Sequence, residues 1–380
     1  MELKCDKKDL QIGVAAVEKI VTTRSTLPII GYILFEAGKN GLKLSANNLE
    51  MGIELDVRSE VGKDGSILVP AKTLGGIVSK LPETKVEFKL TEKGTVRITY
   101  DKSYFNVHTL PPDEFPVLPK VKNGKSFTIA AGVLANMIKQ TIFAASGSED
   151  KYVLTGVLME FGKGSLPGDQ TNIGMIATDG YRLAKRGEKV KLPDGIKGSM
   201  IVPAKAFQEI YRILELDNED GEVEVTFSAE QISFKYNGVY LVSRLIQGQF
   251  PDYKQVLPKK SSTIITLKTR DLLRAAERTA VIASGSANIV RFEIKNEKLH
   301  LFASTPDVGT VDEELDADIK GAGNNQIAFN IRLITDVLKV IDTPEVIIEL
   351  TESLGPGVIR QPEKGEYLYI VMPIRTQEVV

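Results

Sequence analysis

Apolar residues along this chain follow two spacings, and the two alternate. Leu74, Ile77 and Leu81 lie three and then four residues apart, so they share one face of a predicted helix. The same spacing returns at Phe207, Ile210 and Leu214, and again at Ile334, Val337 and Ile341. Identical tetrads, Val69-Pro70-Ala71-Lys72 and Val202-Pro203-Ala204-Lys205, lead into the first two trios, and Asn330-Ile331-Arg332 leads into the third. Lys72, Lys205 and Arg332 each stand two residues before their trio.

A second helix is predicted to open each third of the chain. Asp6 is placed to cap one that carries Leu10, Val14, Val17 and Val21. Val133, Leu134, Met137, Ile138, Thr141 and Ile142 supply it in the second third, and Leu272, Leu273, Ala276 and Ala280 in the last. Between the helices lie segments of strand period. Leu42-Lys43-Leu44-Ser45-Ala46 and Val223-Glu224-Val225-Thr226-Phe227 alternate, while Val346-Ile347-Ile348-Glu349-Leu350 is more apolar. Thr109-Leu110-Pro111-Pro112-Asp113-Glu114-Phe115-Pro116 matches Leu245-Ile246-Gln247-Gly248-Gln249-Phe250-Pro251-Asp252, and Pro119 and Pro258 follow as linker punctuation. The chain reads as three units, 1–122, 123–258 and 259–380, each with helix, strands, helix, strands. That is an α+β pattern, without the βαβ alternation of a parallel sheet. Three close copies in one chain are expected to stack or close on one another, because each presents equivalent edges.

Charge narrows the functions available. The 380 residues hold 48 Lys and Arg against 50 Asp and Glu, a net charge of −2, so a uniformly basic nucleic-acid coat is excluded and any such surface is a local patch. Cys5 is the one cysteine, which rules out an internal disulfide and favours a cytosolic protein. His108 and His300 are the only histidines, too few for a Cys/His zinc cluster. No phosphate-loop or dinucleotide-turn glycine spacing occurs, and no apolar run reaches the ~18–20 residues of a membrane span. The N-terminal Met1-Glu2-Leu3-Lys4-Cys5-Asp6 lacks the apolar core of a signal peptide.

Short motifs then tie the repeats to a known family. They are Thr26-Leu27-Pro28-Ile29, Asn48-Leu49-Glu50-Met51, Ala177-Thr178-Asp179-Gly180-Tyr181-Arg182-Leu183-Ala184, Phe250-Pro251-Asp252-Tyr253 and Val371-Met372-Pro373-Ile374-Arg375. In this order, spread over all three repeats, they make the chain resemble the bacterial sliding clamp, the beta subunit of DNA polymerase III. The likeness covers essentially all 380 residues. It implies a DNA-clamp fold of three domains, each with two helices packed on antiparallel sheets, and a head-to-tail homodimeric ring. It implies that the ring encircles double-stranded DNA without regard to sequence and tethers the replicative polymerase. The clamp loader and other replication and repair proteins with a short apolar motif are the further partners implied. No catalysis, cofactor, metal or membrane is implied, and the location is cytoplasmic.

The resemblance also distributes roles over residues. A lining of scattered cations suits duplex DNA, which carries about one charge per ~1.7 Å, and topological linkage makes high affinity unnecessary. Candidates are Arg24, Lys72, Lys139, Lys205, Arg212, Arg332 and Lys339, with Lys8, Arg274 and Arg278 on the same helix faces. Exposed helix positions are commonly Lys or Arg for solvation alone. A peptide pocket would draw on Leu154, Thr178, Gly180, Tyr181, Arg182, Leu183, Pro251, Val256, Leu354, Pro356, Ile370, Met372, Pro373 and Ile374. Ring closure would set Phe105 and Val107 against Val281 and Ile282 of a second copy, with the acidic run Asp312-Glu313-Glu314-Leu315-Asp316 facing Arg97 or Lys102.

Three features depart from many relatives. Tyr181 stands where histidine is common, Gln255 stands where arginine is common, and a tail Thr376-Gln377-Glu378-Val379-Val380 begins beside the pocket. Two other classes fit the same residues. One is an enzyme or small-ligand binder using Asp179-Gly180-Tyr181-Arg182; the other is a repeat scaffold that binds only proteins.

Overall fold

The structure, a computed structural model, describes residues 1–21, 27–162, 171–216, 221–258, 261–321, 326–351, 355–362 and 367–375. Arg24, Leu354 and the tail 376–380 lie outside the described residues. Six α-helices occur among those described: α1 (Lys7–Glu18), α2 (Ala71–Val78), α3 (Ala131–Lys139), α4 (Ala204–Leu216), α5 (Thr269–Ala283) and α6 (Ile331–Leu338).

The apolar trios set which faces of α2, α4 and α6 are buried, with small shifts. In α4 the buried face includes Phe207, Ile210 and Leu214 as spaced. In α2 it is Leu74 and Val78 that are buried, and Ile77 is only half-buried. Leu81 and Ile341 lie beyond the ends of their helices, yet both remain buried. The Asn330 side chain caps α6, its Oδ1 accepting from the Arg332 N–H at 3.0 Å. Asp6 sits at the first cap position of α1, but its carboxylate makes no capping bond, contrary to expectation. Helix α3 stops at Lys139, earlier than Thr141 and Ile142 suggest. Its end is marked by the Thr141 hydroxyl donating back to the Met137 carbonyl at 2.7 Å.

Each repeat opens on a strand rather than a helix: Glu2–Asp6, Lys125–Ala130 and Thr263–Lys268. These strands are 5 or 6 residues long, too short for their alternation to declare itself beside the stronger helical pattern that follows.

The described chain divides into two compact units. One combines Met1–Leu134 with Lys205–Leu245, the other Ala135–Ala204 with Ile246–Val380, so the middle repeat contributes to both. Every sheet is antiparallel, and four-strand blocks recur in them once per repeat, with Glu60–Lys63 and Asp318–Gly321 as additional edge strands. The first block runs Glu2–Asp6, Lys85–Leu90, Thr95–Tyr100, Ser103–His108. Its copies are Lys125–Ala130, Glu222–Phe227, Gln231–Tyr236, Val239–Arg244, and Thr263–Lys268, Glu345–Leu350, Gly357–Arg360, Tyr367–Val371. The second block runs Gly65–Pro70, Tyr32–Gly38, Gly41–Asn47, Met51–Val57. Its copies are Gly198–Pro203, Gly156–Phe161, Ile173–Thr178, Arg182–Glu188, and Gln326–Asn330, Ile289–Lys295, Lys298–Thr305, Gly309–Asp316.

Blocks join by one rule. The last strand of a first block pairs with the last strand of the preceding repeat's second block. In the first unit Val239–Arg244 pairs with Met51–Val57, and in the second unit Tyr367–Val371 pairs with Arg182–Glu188. Two last strands remain without a neighbour on their outer edge among the described residues: Ser103–His108 and Gly309–Asp316.

Candidate functional site

The two open strands carry different chemistry. On Ser103–His108, Tyr104 is 58% and Phe105 39% exposed, a large apolar display for an unpaired edge. Phe105 stacks on Tyr100 with ring centroids 5.8 Å apart, and the Arg97 guanidinium lies 4.6 Å from the Tyr104 ring centre. Val107 is 7% exposed and faces inward, so of the two residues expected at this joint only Phe105 presents a free surface. Gly309–Asp316 is acidic, and Val281 on the neighbouring α5 is exposed while Ile282 is half-buried. Its carboxylates already have partners within the chain. Glu313 accepts two bonds from Arg278, at 2.7 and 2.5 Å; Lys298 pairs with Glu314; and His300 Nδ1 lies 2.9 Å from Asp312. Arg278 is therefore engaged with the edge strand instead of standing free on the helix face. The same pairing holds the Glu313 carboxyl below the usual carboxylate range.

A common position unites the candidate DNA-facing cations. Lys72, Lys205 and Arg332 are each the second residue of their helix, and so are Lys8 in α1 and Arg270 in α5. Only α3 breaks the pattern, with Gly132. All five cations are exposed, and none makes an ion pair among the described residues. A cation in the first turn opposes the helix dipole, at roughly 0.3–1 kcal/mol each. Five such placements work against helix stability, which suggests that they serve a ligand. Lys139, Arg212 and Lys339 differ: they pair with Asp342 at 3.2 Å, Glu209 at 2.8 Å and Glu277 at 3.7 Å. Sequence reasoning missed Arg270, although it follows Thr269 at a helix start as Lys205 follows Ala204.

The second candidate site lies wholly within the second compact unit. The Ile173–Thr178 and Arg182–Glu188 strands are joined by a turn that locks itself. Asp179 Oδ1 accepts from the Tyr181 and Arg182 N–H groups at 2.9 and 3.1 Å, and the Thr178 hydroxyl donates to the Arg182 carbonyl at 2.6 Å. Gly180 has φ of +94°, a conformation side chains resist. The turn displays Tyr181, 65% exposed, and the Tyr181 carbonyl accepts from the Met372 N–H at 2.9 Å. Beneath it an apolar cluster gathers Leu183, Ile370, Phe250, Tyr253 and Leu158, with Leu154 packed against it. Val256 and Met372, each 40% exposed, flank this floor. Pro251 is exposed beside Phe250; Pro356 and Pro373 are half-buried; and Ile374 donates its N–H to the Ala328 carbonyl at 2.8 Å. Gln255 is held by Asp252, its Nε2 donating at 3.1 Å.

Four residues supporting this site were not expected: Asp336, Phe143, Tyr369 and Lys151. Arg182 donates from Nε to Asp179 Oδ2 at 3.0 Å and from Nη1 to Asp336 Oδ2 at 2.6 Å, with its guanidinium 5.4 Å from the Phe143 ring centre. Phe143 stacks on Tyr369 at 5.8 Å. Lys151 reaches over the turn, donating to the Asp179 carbonyl at 3.1 Å and lying 5.2 Å from the Tyr181 ring centre. With its carboxylate accepting from two backbone N–H groups and Arg182, Asp179 is a structural residue, which removes the basis for a catalytic reading of this turn. Among the described residues no group of three or more His, Cys, Asp and Glu is placed to hold a metal, and no helix is long and apolar enough to cross a membrane.

Repeated two-helix units on joined antiparallel blocks define the class: a DNA clamp. Family models of the DNA polymerase III beta subunit match in chain order, the N-terminal domain over residues 1–119, the central domain over 128–252 and the C-terminal domain over 254–375. The beta sliding clamp of Bacillus subtilis is 31% identical over 387 residues, covering 99% of this chain and 100% of that one. That of a Synechocystis species is 33% identical over 397 residues, 99% of each chain. Among solved structures, the Bacillus subtilis DNA polymerase sliding clamp superposes with a TM-score of 0.90 at 30% identity, covering 99% of this chain and 100% of that one. A Pseudomonas aeruginosa sliding clamp bound to griselimycin gives 0.89 at 29% identity, with the same coverage. The chain belongs to the DNA polymerase III beta subunit family, the beta sliding clamps, which are non-catalytic processivity factors.

Proposed function

We propose that two copies of this chain close head to tail into a ring around duplex DNA, and that the ring tethers the replicative polymerase, the clamp loader and other replication and repair proteins. Each copy supplies three domains, 1–122, 123–258 and 259–380. The carrying observation is the pair of open strands: the joining rule used twice within the chain leaves Ser103–His108 of one copy to pair with Gly309–Asp316 of the next. That pairing seats Tyr104 and Phe105 beside Val281 and Ile282 of the partner copy. The acidic strand meets Arg97 and Lys102, adding to carboxylates already neutralised in part.

DNA is held by charge without base recognition. Lys8, Lys72, Lys205, Arg270 and Arg332 contact phosphates directly. Lys139, Arg212 and Lys339 contribute less, because DNA must compete with Asp342, Glu209 and Glu277. Arg24 is assigned the same role from its motif. The apolar floor of Leu183 and Ile370, bordered by Tyr181, Val256 and Met372, takes the bulky side chains of a flexible partner peptide. Pro251, Pro356 and Pro373 complete its walls, and Leu354 is assigned to the site from the family likeness alone. The absence of a rim cation at Gln255 shifts that duty to Lys151. A replication clamp with a single reduced cysteine works in the cytoplasm.

Sedimentation tests the assembly. The native particle is expected at about twice 41.7 kDa at micromolar concentration. Phe105→Asp, at an exposed position, should give folded monomers; a wild-type monomer would refute the ring.

A further inference from the structure

The joint inside the first unit is a template for the joint between copies. Tyr240, the second residue of its strand, stands opposite Glu54. Lys120 lies 3.8 Å from the Tyr240 ring centre and pairs with Glu54. Tyr104 is likewise the second residue of the open strand Ser103–His108, and Arg97 lies over its ring. On the other open strand, Asp312 holds the position of Glu54. The row Leu68, Leu34, Ser45, Glu54 starts four residues before Lys72, and the row Ala328, Arg291, Phe302, Asp312 starts four before Arg332. The same register between copies sets Tyr104 of one opposite Asp312 of the next, and Lys102 opposite Glu314.

Those two carboxylates frame His300. Its side chain is 12% exposed, with Nδ1 2.9 Å from Asp312 and Nε2 3.9 Å from Glu314. On the same strand face Lys298 pairs with Glu314 and lies 3.5 Å from Asp316. On the far side Glu293 stands opposite His300; it pairs with Arg291 at 3.4 Å and with Lys295, and accepts from Gln326 at 2.8 Å. Glu313 alternates to the other face, where it meets Arg278 of α5. Residues 322–325, which precede Gln326, include no titratable side chain.

A neutral His300 leaves Asp312 and Glu314 their full charge for cations of the second copy. A protonated His300 adds positive charge to the face that meets Arg97 and Lys102, and it competes with them for the same two carboxylates. An imidazole ordinarily gains its charge between pH 5 and 8, where carboxylates stay ionised. Closure brings two further cations toward His300, so the separated chain takes up the proton more readily, and by linkage a falling pH favours separation. His108, the only other histidine, ends the open strand opposite residues 308–311, which carry no charge.

We propose that His300 gates ring closure: neutral, it yields Asp312 and Glu314 to Arg97 and Lys102 of the second copy, and protonated it withholds them, so that mild acid loosens the ring. The gate rests on the head-to-tail ring proposed above.

Subunit exchange tests it. Full-length protein labelled with nitrogen-15 is mixed with unlabelled protein at pH 8 and at pH 6, at equal ionic strength, and mixed dimers are followed by native mass spectrometry. Wild type should exchange fivefold or more faster at pH 6. His300→Gln keeps a polar side chain without the titration, and its rates at the two pH values should agree within twofold. His300→Lys should exchange at pH 8 at least as fast as wild type does at pH 6. His108→Gln should keep the wild-type response, with thermal melting confirming that all three variants fold. A pH response that survives His300→Gln, or that is lost in His108→Gln, would overturn the gate. So would a His300→Gln chain that is monomeric at pH 8, which would make His300 structural. A wild-type dimer with equal rates at both pH values would overturn the gate and leave the ring standing, whereas a wild-type monomer at pH 8 would overturn both.

Discussion

Arg182 and Asp336 lie 154 residues apart in the chain and meet at 2.6 Å, Nη1 donating to Oδ2. This bond ties the turn that displays Tyr181 to helix α6, whose second residue is Arg332. The Arg182 side chain is 12% exposed and shares its charge between Asp336 and Asp179. Asp336→Ala leaves half of that arrangement unpaired. A loss of about 1–3 kcal/mol is expected, larger than that for Lys298→Ala in the exposed Lys298–Glu314 pair. Urea unfolding of both variants checks this, and equal midpoints would contradict it.

Cations at the second position of helices set stability against function. Replacing Lys72, Lys205 and Arg332 together with Gln removes three unfavourable dipole interactions, each worth roughly 0.3–1 kcal/mol. The triple variant should melt at or above the wild-type temperature. Its DNA binding should depend less on salt, the slope of log K against log salt falling by up to ~3. Destabilisation of the triple variant would show these side chains to be structural.

Two alanine substitutions at the socket should behave differently. Met372 is exposed, so Met372→Ala should change stability by no more than ~0.5 kcal/mol while weakening a fluorescent peptide with a Gln-Leu-x-Leu-Phe type motif fivefold or more. Leu183 is core, so Leu183→Ala should lose about 2–5 kcal/mol as well as peptide affinity. Wild-type peptide curves for Met372→Ala would remove it from the site.

Burial pushes the Cys5 thiol up to about 12, with Asp6 and Asp9 adding to the shift. The raised value keeps the thiol protonated at pH 8, where an unfolded cysteine is partly thiolate. Native protein should resist Ellman's reagent at pH 8 and release one equivalent in urea. Rapid native labelling would place Cys5 at the surface.

Local periodicity carries the helices well. Leu74, Phe207 and Ile334 are buried where their spacing predicts, and the tetrads before them mark helix starts. The ends were less legible, because Leu81 and Ile341 keep the apolar period after the hydrogen-bonded helix has finished. Strand joining was not legible at all. Leu241 pairs with Ile53 and Leu183 with Ile370, and such long-range registers leave no mark in local sequence. Of the candidate site, family motifs supplied Tyr181, Leu183 and Met372, while Lys151, Asp336 and Arg270 needed the structure. Val107 shows what motif transfer leaves out: it shares a strand face with Phe105 yet is 7% exposed against 39%, a difference the motif does not carry.

Retention on DNA circles tests the central claim most directly. The protein is loaded onto a nicked circular duplex, freed of unbound protein by gel filtration in high salt, and divided. One half is then linearised with a restriction enzyme. A closed ring should stay on the circle and run off the linear molecule, with the triple Gln variant showing the same contrast once loaded. Equal retention on circle and line would mean that contact, not encirclement, holds the protein, and would contradict the account.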